Sequence, residues 1–190
     1  MTEERLRHLL AAMPGTRIAV LGDFCLDAYW MLVPEAGEVS VETGKTTLPV
    51  REQRYSPGGA GNVVANLRAI GVGSVACLGI VGDDPFGAML RARLDALGAD
   101  TATLLTCPDP QAWQTLTYCK PYIGEDEQPR LDVGNFNALP DPLADELLAR
   151  LEAILPRLDA VIVNEQVRTG IHTRSEERRV GKECRSRWTP

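Results

Sequence analysis

The stretch "RYSPGGAGNVVANLRAIG", residues 54–71, decides the fold. A proline and two glycines lead into residues 62–70, where Val63, Leu67 and Ile70 recur at i, i+4 and i+7. That spacing predicts a helix, and Gly71 stops it. The apolar run "SVACLGIVG" (74–82) follows and reads as a buried strand. Glycine-rich entries to helices often hold phosphate, but a Walker loop needs Lys and Ser/Thr here, and neither is present. A dinucleotide fingerprint needs its glycines directly after the first strand, whereas these come more than 30 residues later. Pro57, Gly58 and Gly59 let the backbone approach a ligand closely, and Asn62 adds an amide. Such a loop suits a neutral, hydroxylated ligand better than a pyrophosphate.

Outward from this stretch the same alternation repeats. "RIAVLGD" (17–23) and "DAVIVN" (159–164) read as further buried strands. Asp84 followed by Pro85 is an N-cap with proline at N1, and Phe86, Met89, Leu90, Leu94 and Leu97 form a stripe ending at Gly98. Asp141 and Pro142 repeat the device ahead of Leu147, Leu148, Leu151 and Leu155, up to Pro156. At the N-terminus, Leu6, Leu9, Leu10 and Met13 share one face of a predicted helix stopped at Pro14 and Gly15. Strand–helix–strand order argues for an α/β fold with a parallel central sheet and helices on its faces. Two segments break the rhythm, 37–56 and 111–135. Their alternation, as in Leu48/Val50 and Leu116/Tyr118, predicts a small half-exposed side sheet, a β lid or a pair of surface hairpins. Pro49 there fits only an edge or a strand end.

Composition narrows the function. The chain has 190 residues and a net charge of -6, which disfavours nucleic acid and anionic membrane as partners. No apolar run approaches the ~20 residues of a membrane span, and the N-terminus lacks a signal-peptide pattern. Five cysteines without a CxxC pair, beside His8 and His172, read as reduced thiols of a cytoplasmic protein rather than a zinc site. Residues 174–190 carry six basic and three acidic side chains, against 14 basic and 23 acidic in the first 173. They read as a basic tail for an acidic partner or, the preferred reading, resemble the non-native sequence made when a reading frame runs into vector DNA, and are expected to be unstructured.

Four motifs carry candidate chemistry. "GDFCLD" (22–27) sits at the end of the first strand, the ligand edge of an open parallel sheet. There Asp27 can accept hydrogen bonds from two hydroxyls, while Asp23 reads equally well as a turn former. The glycine–asparagine loop is the second. "VGDDPFG" (81–87) offers Asp83 and Asp84 as a metal pair or, more simply, a helix cap. "VIVNEQ" (161–166) puts Asn164 and Glu165 at the end of the third strand.

In this order these motifs resemble the PfkB (ribokinase-like) carbohydrate kinase family, over about residues 15 to 173. "GDFCLD" and "GGAGNVVANL" look like its heptose-7-phosphate kinase branch, although "SVETGKTTLPV" departs from that branch's proline-rich lid. The resemblance implies a three-layer ribokinase-like fold with a β lid over residues 37–56 and 111–135. It implies an enzyme that moves the γ-phosphoryl of ATP, with Mg²⁺, to a hydroxyl of a sugar or sugar phosphate, and a homodimer through the lid. It assigns substrate binding to Asp27, Gly58, Gly59, Asn62 and Glu165, with no metal ligand. The family's second signature, Asp-Thr-x-Gly-Ala-Gly-Asp, supplies the catalytic base and an anion hole, and it does not occur in the chain. "GAGN" at 59–62 is no substitute, because Asn62 cannot take a proton. The expectation is therefore an N-terminal portion ending after about the third core strand, itself inactive, with an apolar edge near 161–163 and low solubility. The alternative is a non-catalytic sugar-binding or interaction module.

Overall fold

The computed structural model describes residues 1–171. Helix α1 (Glu3–Ala12) is capped by Thr2, whose side chain accepts from the Arg5 amide, and it runs into a 3-10 turn at Met13–Gly15. It buries no residue, and Leu6 and Leu10 remain exposed. Of the apolar face read from the sequence, Met13 packs against the core and Leu9 is partly buried, while Leu6 and Leu10 face outward.

Strand β1 (Arg17–Gly22) is followed after one residue by β2 (Phe24–Leu32), and β3 (Val50–Gly59) leads straight into α2 (Ala60–Ala69). Then come β4 (Ser74–Gly82), α3 (Pro85–Ala96), β5 (Leu104–Cys107), β6 (Leu116–Ile123), β7 (Asp126–Glu127), β8 (Leu131–Val133), α4 (Asp141–Ile154) and β9 (Ala160–Asn164). No helix among the described residues is long and apolar enough to cross a membrane.

The strands form two sheets. The first has the order β5-β4-β1-β9 and is wholly parallel. Alternate residues of its strands face opposite ways, and both faces are covered. On one side Ile18, Val20, Val75 and Cys77 pack against Val64 and Leu67 of α2 and Leu90 and Leu94 of α3. On the other, Ala19, Leu21, Leu78 and Ile80 pack against Leu147 and Leu151 of α4 and against Trp113. Helix, sheet and helix make three layers. Burying a side chain such as Leu90 or Leu94 contributes about 1.5–3 kcal/mol. The α2 face differs from the predicted one. Ala60, Gly61, Val64 and Leu67 are buried and Ile70 is exposed, because the sheet lies under the 60/64/67 stripe.

The second sheet has the order β3-β2-β6-β7, with β8 also pairing with β6. Its root, at Phe24, Cys25, Leu26 and Ala28, is fully buried, while Val50 to Arg54 are exposed. The side sheet exists, half exposed as expected, but its strands differ from the predicted segments. Residues 37–49 hold one bridge, Val39 with Thr46, and the strand begins only at Val50, after Pro49. The motif at 22–27 reads as the end of β1, yet from Phe24 it opens β2, an internal strand of this sheet that runs on to Leu32. The 54–59 "loop" is the end of β3, with Gly58 opposite Cys25 and Pro57 opposite Leu26. Proline is tolerated because β3 is the edge of that sheet.

Two smaller differences concern punctuation. Asp84 caps α3 as predicted, its Oδ1 accepting from the Gly87 amide at 2.8 Å. Asp141 does not cap α4; Pro140 occupies the cap position, and Asp141 opens the helix. Strand β9 pairs with β1 on one side and with nothing on the other among the described residues, and Val163 is half exposed. That is the expected apolar edge. The segment 174–190, with Cys184, and His172 lie outside the described residues.

Candidate functional site

The chain changes sheets at Asp23. Its amide donates to the Asn164 carbonyl at 3.2 Å, and its carbonyl accepts from the Ala60 amide at 2.9 Å. Its carboxylate is 1% exposed. Oδ2 accepts from the amides of Gln166 (2.8 Å) and Val167 (3.0 Å), and Oδ1 from that of Ile171 (2.8 Å). Asp23 therefore joins the ends of β1 and β9 to the start of α2. It holds the segment carrying Glu165.

Asp27 lies four residues further on, within β2 rather than just past β1, opposite Ser56 of β3 and Tyr118 of β6. Period-2 alternation sets Cys25, Asp27, Tyr29 and Met31 on one face with Gly58, Ser56, Arg54, Tyr118, Lys120 and Tyr122 from the flanking strands. Asp27 Oδ1 is 2.8 Å from Lys120 Nζ. Gly58 lies beneath the carboxylate, and a Cβ at that position would stand 2.9 Å from Oδ2. Gly59 has φ +54° and ψ -127°, a conformation left to glycine, and a Cβ there would run into the Asp23 carbonyl. These two glycines have different reasons: Gly58 makes room for Asp27, and Gly59 turns the strand into the helix.

The remaining candidates are placed less closely. Asn62 is on the first turn of α2, three residues after the turn at Gly59, and exposed. Glu165 follows β9 at the same edge and is exposed, with no hydrogen bond or ion pair to Asp27. The neighbouring Asn164 keeps a buried Oδ1 without a partner among the described residues. The structure thus brings Asp27, Gly58 and Gly59 together, sets Asn62 on the adjoining helix turn, and leaves Glu165 on a separate loop.

Asp83 and Asp84 are not a metal pair. Asp83 is exposed, while Asp84 spends Oδ1 on the α3 cap and Oδ2 on the Thr115 amide at 2.8 Å. Thr115 Oγ1 in turn accepts from the Gly82 amide at 2.9 Å. This network pins the root of β6 to the end of β4. It fixes where the side sheet stands over the parallel one.

Several residues of the site were not singled out from the sequence. Lys120 is the foremost, with Tyr29, Tyr118 and Tyr122. Burial works against the charge of Lys120, but its hydrogen bond and charge contact with Asp27 outweigh this and raise its pKa. Its ammonium is 5.0 Å from the Tyr29 ring centroid. Tyr118 carries the Arg130 guanidinium 4.3 Å above its ring, and burial pushes its phenol up to about 12. The Cys25 thiol, beneath the glycines, is also pushed up to about 12 by burial, with the Asp23 charge adding. Outward along the face, Tyr29, Met31, Arg54, Ser56 and Tyr122 line an open cleft of about 540 Å³. The alternation Tyr118, Lys120, Tyr122 was the available signal, but it names a face only once the partner strands are known.

Comparison with known proteins agrees with this architecture. Over 166 residues the chain is 30% identical to the bifunctional protein HldE of Shewanella amazonensis, and over 167 residues 29% identical to that of Shewanella denitrificans. Each match takes in 87% of this chain and 33% of the relative, so the chain spans about a third of the length of these curated relatives. Among solved structures, it is similar to phosphofructokinase-2 from Escherichia coli in complex with fructose-6-phosphate, with a TM-score of 0.60 at 14% identity. That match covers 90% of this chain and 52% of that one. It is also similar to a carbohydrate kinase from Agrobacterium tumefaciens, with a TM-score of 0.55 at 22% identity over 78% of this chain and 45% of that one. These likenesses show the ribokinase-like fold expected from the motifs. The profile of the pfkB family carbohydrate kinases matches residues 16–117. On that match, over a fold and motif order that agree with it, the chain belongs to the pfkB family of carbohydrate kinases.

Proposed function

We propose that this chain is the sugar-binding, lid-bearing part of an ATP-dependent kinase for a sugar or sugar phosphate. One observation carries the reading: the Asp27 carboxylate, four-fifths buried, stands directly over Gly58 on the face of the side sheet. A carboxylate above bare backbone can accept hydrogen bonds from hydroxyls without a side chain blocking the approach. Asn62 on the adjoining helix turn extends the cradle, and Glu165, on the separate loop after β9, would meet the ligand from the same sheet edge. The side sheet acts as a lid, since its root is fixed by Thr115 while its outer end is exposed. A homodimer through that exposed end belongs to the same reading.

Phosphoryl transfer from ATP also needs a base and donors for the charge on the moving group. The described residues bring no three His, Cys, Asp or Glu side chains together, and the chain has no Asp-Thr-x-Gly-Ala-Gly-Asp. The base and the anion hole that this signature supplies are therefore not among the residues of this sequence, whereas one or two carboxylates with the nucleotide's phosphates would suffice for Mg²⁺. Lack of a base costs about 10²–10⁴ in rate, and each missing oxyanion donor about 10²–10³. The 190-residue chain is accordingly expected to bind sugar without phosphorylating it.

The test has two arms. Purified chain incubated with ATP, Mg²⁺ and a panel of sugars and sugar phosphates should form no phosphorylated product. Calorimetric titration with the same panel should show binding that D27A abolishes. Product formation refutes the inactivity, and binding indifferent to D27A refutes the cradle.

A further inference from the structure

A cation beside the cradle's carboxylate can hold it ionised and, through its remaining donors, also read the ligand. Lys120 is placed to do so. Its side chain and that of Asp27 are 19% and 20% exposed, with Nζ 2.8 Å from Oδ1. Two constraints hold the pair. The parallel register of β2 and β6 sets Lys120 beside Tyr29, whose ring flanks the ammonium. Gly58 keeps the space by Oδ2 clear.

One carboxylate oxygen is thus occupied by Lys120, and the other accepts no hydrogen bond among the described residues. An ammonium has three N–H donors, of which Oδ1 takes one. The pair therefore presents an acceptor and a donor side by side. Charge on the same face is balanced: Arg54 pairs with Glu52, and Arg130 with Asp132. Among the described residues the face has no surplus cation to hold a phosphate, and it is matched to hydroxyls.

We propose that Lys120 is a specificity-determining residue which, as one unit with Asp27, reads two adjacent hydroxyls of the sugar. Oδ2 accepts from one hydroxyl, and Nζ donates to its neighbour. This rests on Asp27 being the sugar-binding carboxylate.

The test is calorimetric titration of the 190-residue chain with glucose, mannose and ribose and with their singly deoxygenated analogues. Wild type should bind at least one parent sugar about tenfold tighter than either of two analogues lacking adjacent hydroxyls. D27N should lose discrimination at one of those positions, and K120M at the other. If K120M does not fold, K120Q is read in the same way. Unchanged discrimination in the Lys120 variant, with loss in D27N, overturns the inference and leaves the cradle standing. Unchanged binding in D27N, or no wild-type binding at about 50 mM of any parent sugar, overturns both.

Discussion

Replacing Asp23 by asparagine tests the joint on which the site is built. The carboxylate is 1% exposed and accepts three backbone hydrogen bonds of 2.8–3.0 Å, from Gln166, Val167 and Ile171. Asparagine keeps the shape but has one oxygen. If that oxygen faces Gln166 and Val167, the new amide N–H₂ is forced against the Ile171 amide. Two hydrogen bonds then fall from the charged to the neutral class, a loss of about 1 kcal/mol each. The third is lost and leaves a buried donor unpaired, at about 1–3 kcal/mol. The expected total is about 3–5 kcal/mol, a large part of the stability of an ordinary domain. The loss has a local route, because the segment after β9 can detach before the core unfolds. Urea denaturation would read the global part, and hydrogen exchange at residues 166, 167 and 171 the local part. A change under about 1 kcal/mol, with protection of those three amides intact, would refute the account.

Other expectations follow from the same contacts. G58A puts a Cβ 2.9 Å from Asp27 Oδ2, so the carboxylate must move; we expect about 1–3 kcal/mol of destabilisation and weakened sugar binding, and a variant with wild-type Tm and affinity would contradict this. The pKa of Lys120 is raised in the folded state, so its stabilising contribution is complete below the unfolded value of about 10.4 and is lost as pH rises through the folded value. The stability gap between wild type and K120M should therefore narrow only at strongly alkaline pH, and a gap that closes between pH 6 and 9 would exclude the pair as its source. Cys25 and Cys77, pushed up to about 12 by burial, should resist alkylation at pH 8 until denaturant is added. Rapid labelling of either in the native chain would show that the core opens.

The parallel strands and their helices were legible because each signal is local. The runs at 17–23 and 74–82 are apolar except at their ends, as strands covered on both faces are, whereas β9 keeps the apolar pattern of 159–164 but buries none of its residues fully, because it is the open edge among the described residues. Asp84 starts α3 by the side-chain oxygen it offers to a nearby amide, and Gly98 ends it by its positive φ, both effects of neighbours within a few residues. Strand β5, only Leu104–Cys107, was too short to read. Strand β2 was missed because it is buried at its root and partly exposed at its tip, so no single periodicity runs through it. The end of β3 was hidden by Pro57 and the two glycines, residues that usually break strands.

The motif order, the helix punctuation apart from the cap of α4, and the family could be read from the sequence alone, since each depends on neighbours within a few residues. It named Asp27, Gly58 and Gly59 but not what links them. Tertiary structure decided that the chain leaves the parallel sheet at Asp23, and that this residue's carboxylate holds the segment bearing Glu165. It also decided that Asp27 meets Lys120, from a strand far along the chain. The reason is physical: strand pairing joins distant segments through backbone hydrogen bonds that every residue but proline can both give and accept, so the register, and with it the site, leaves little trace in residue type.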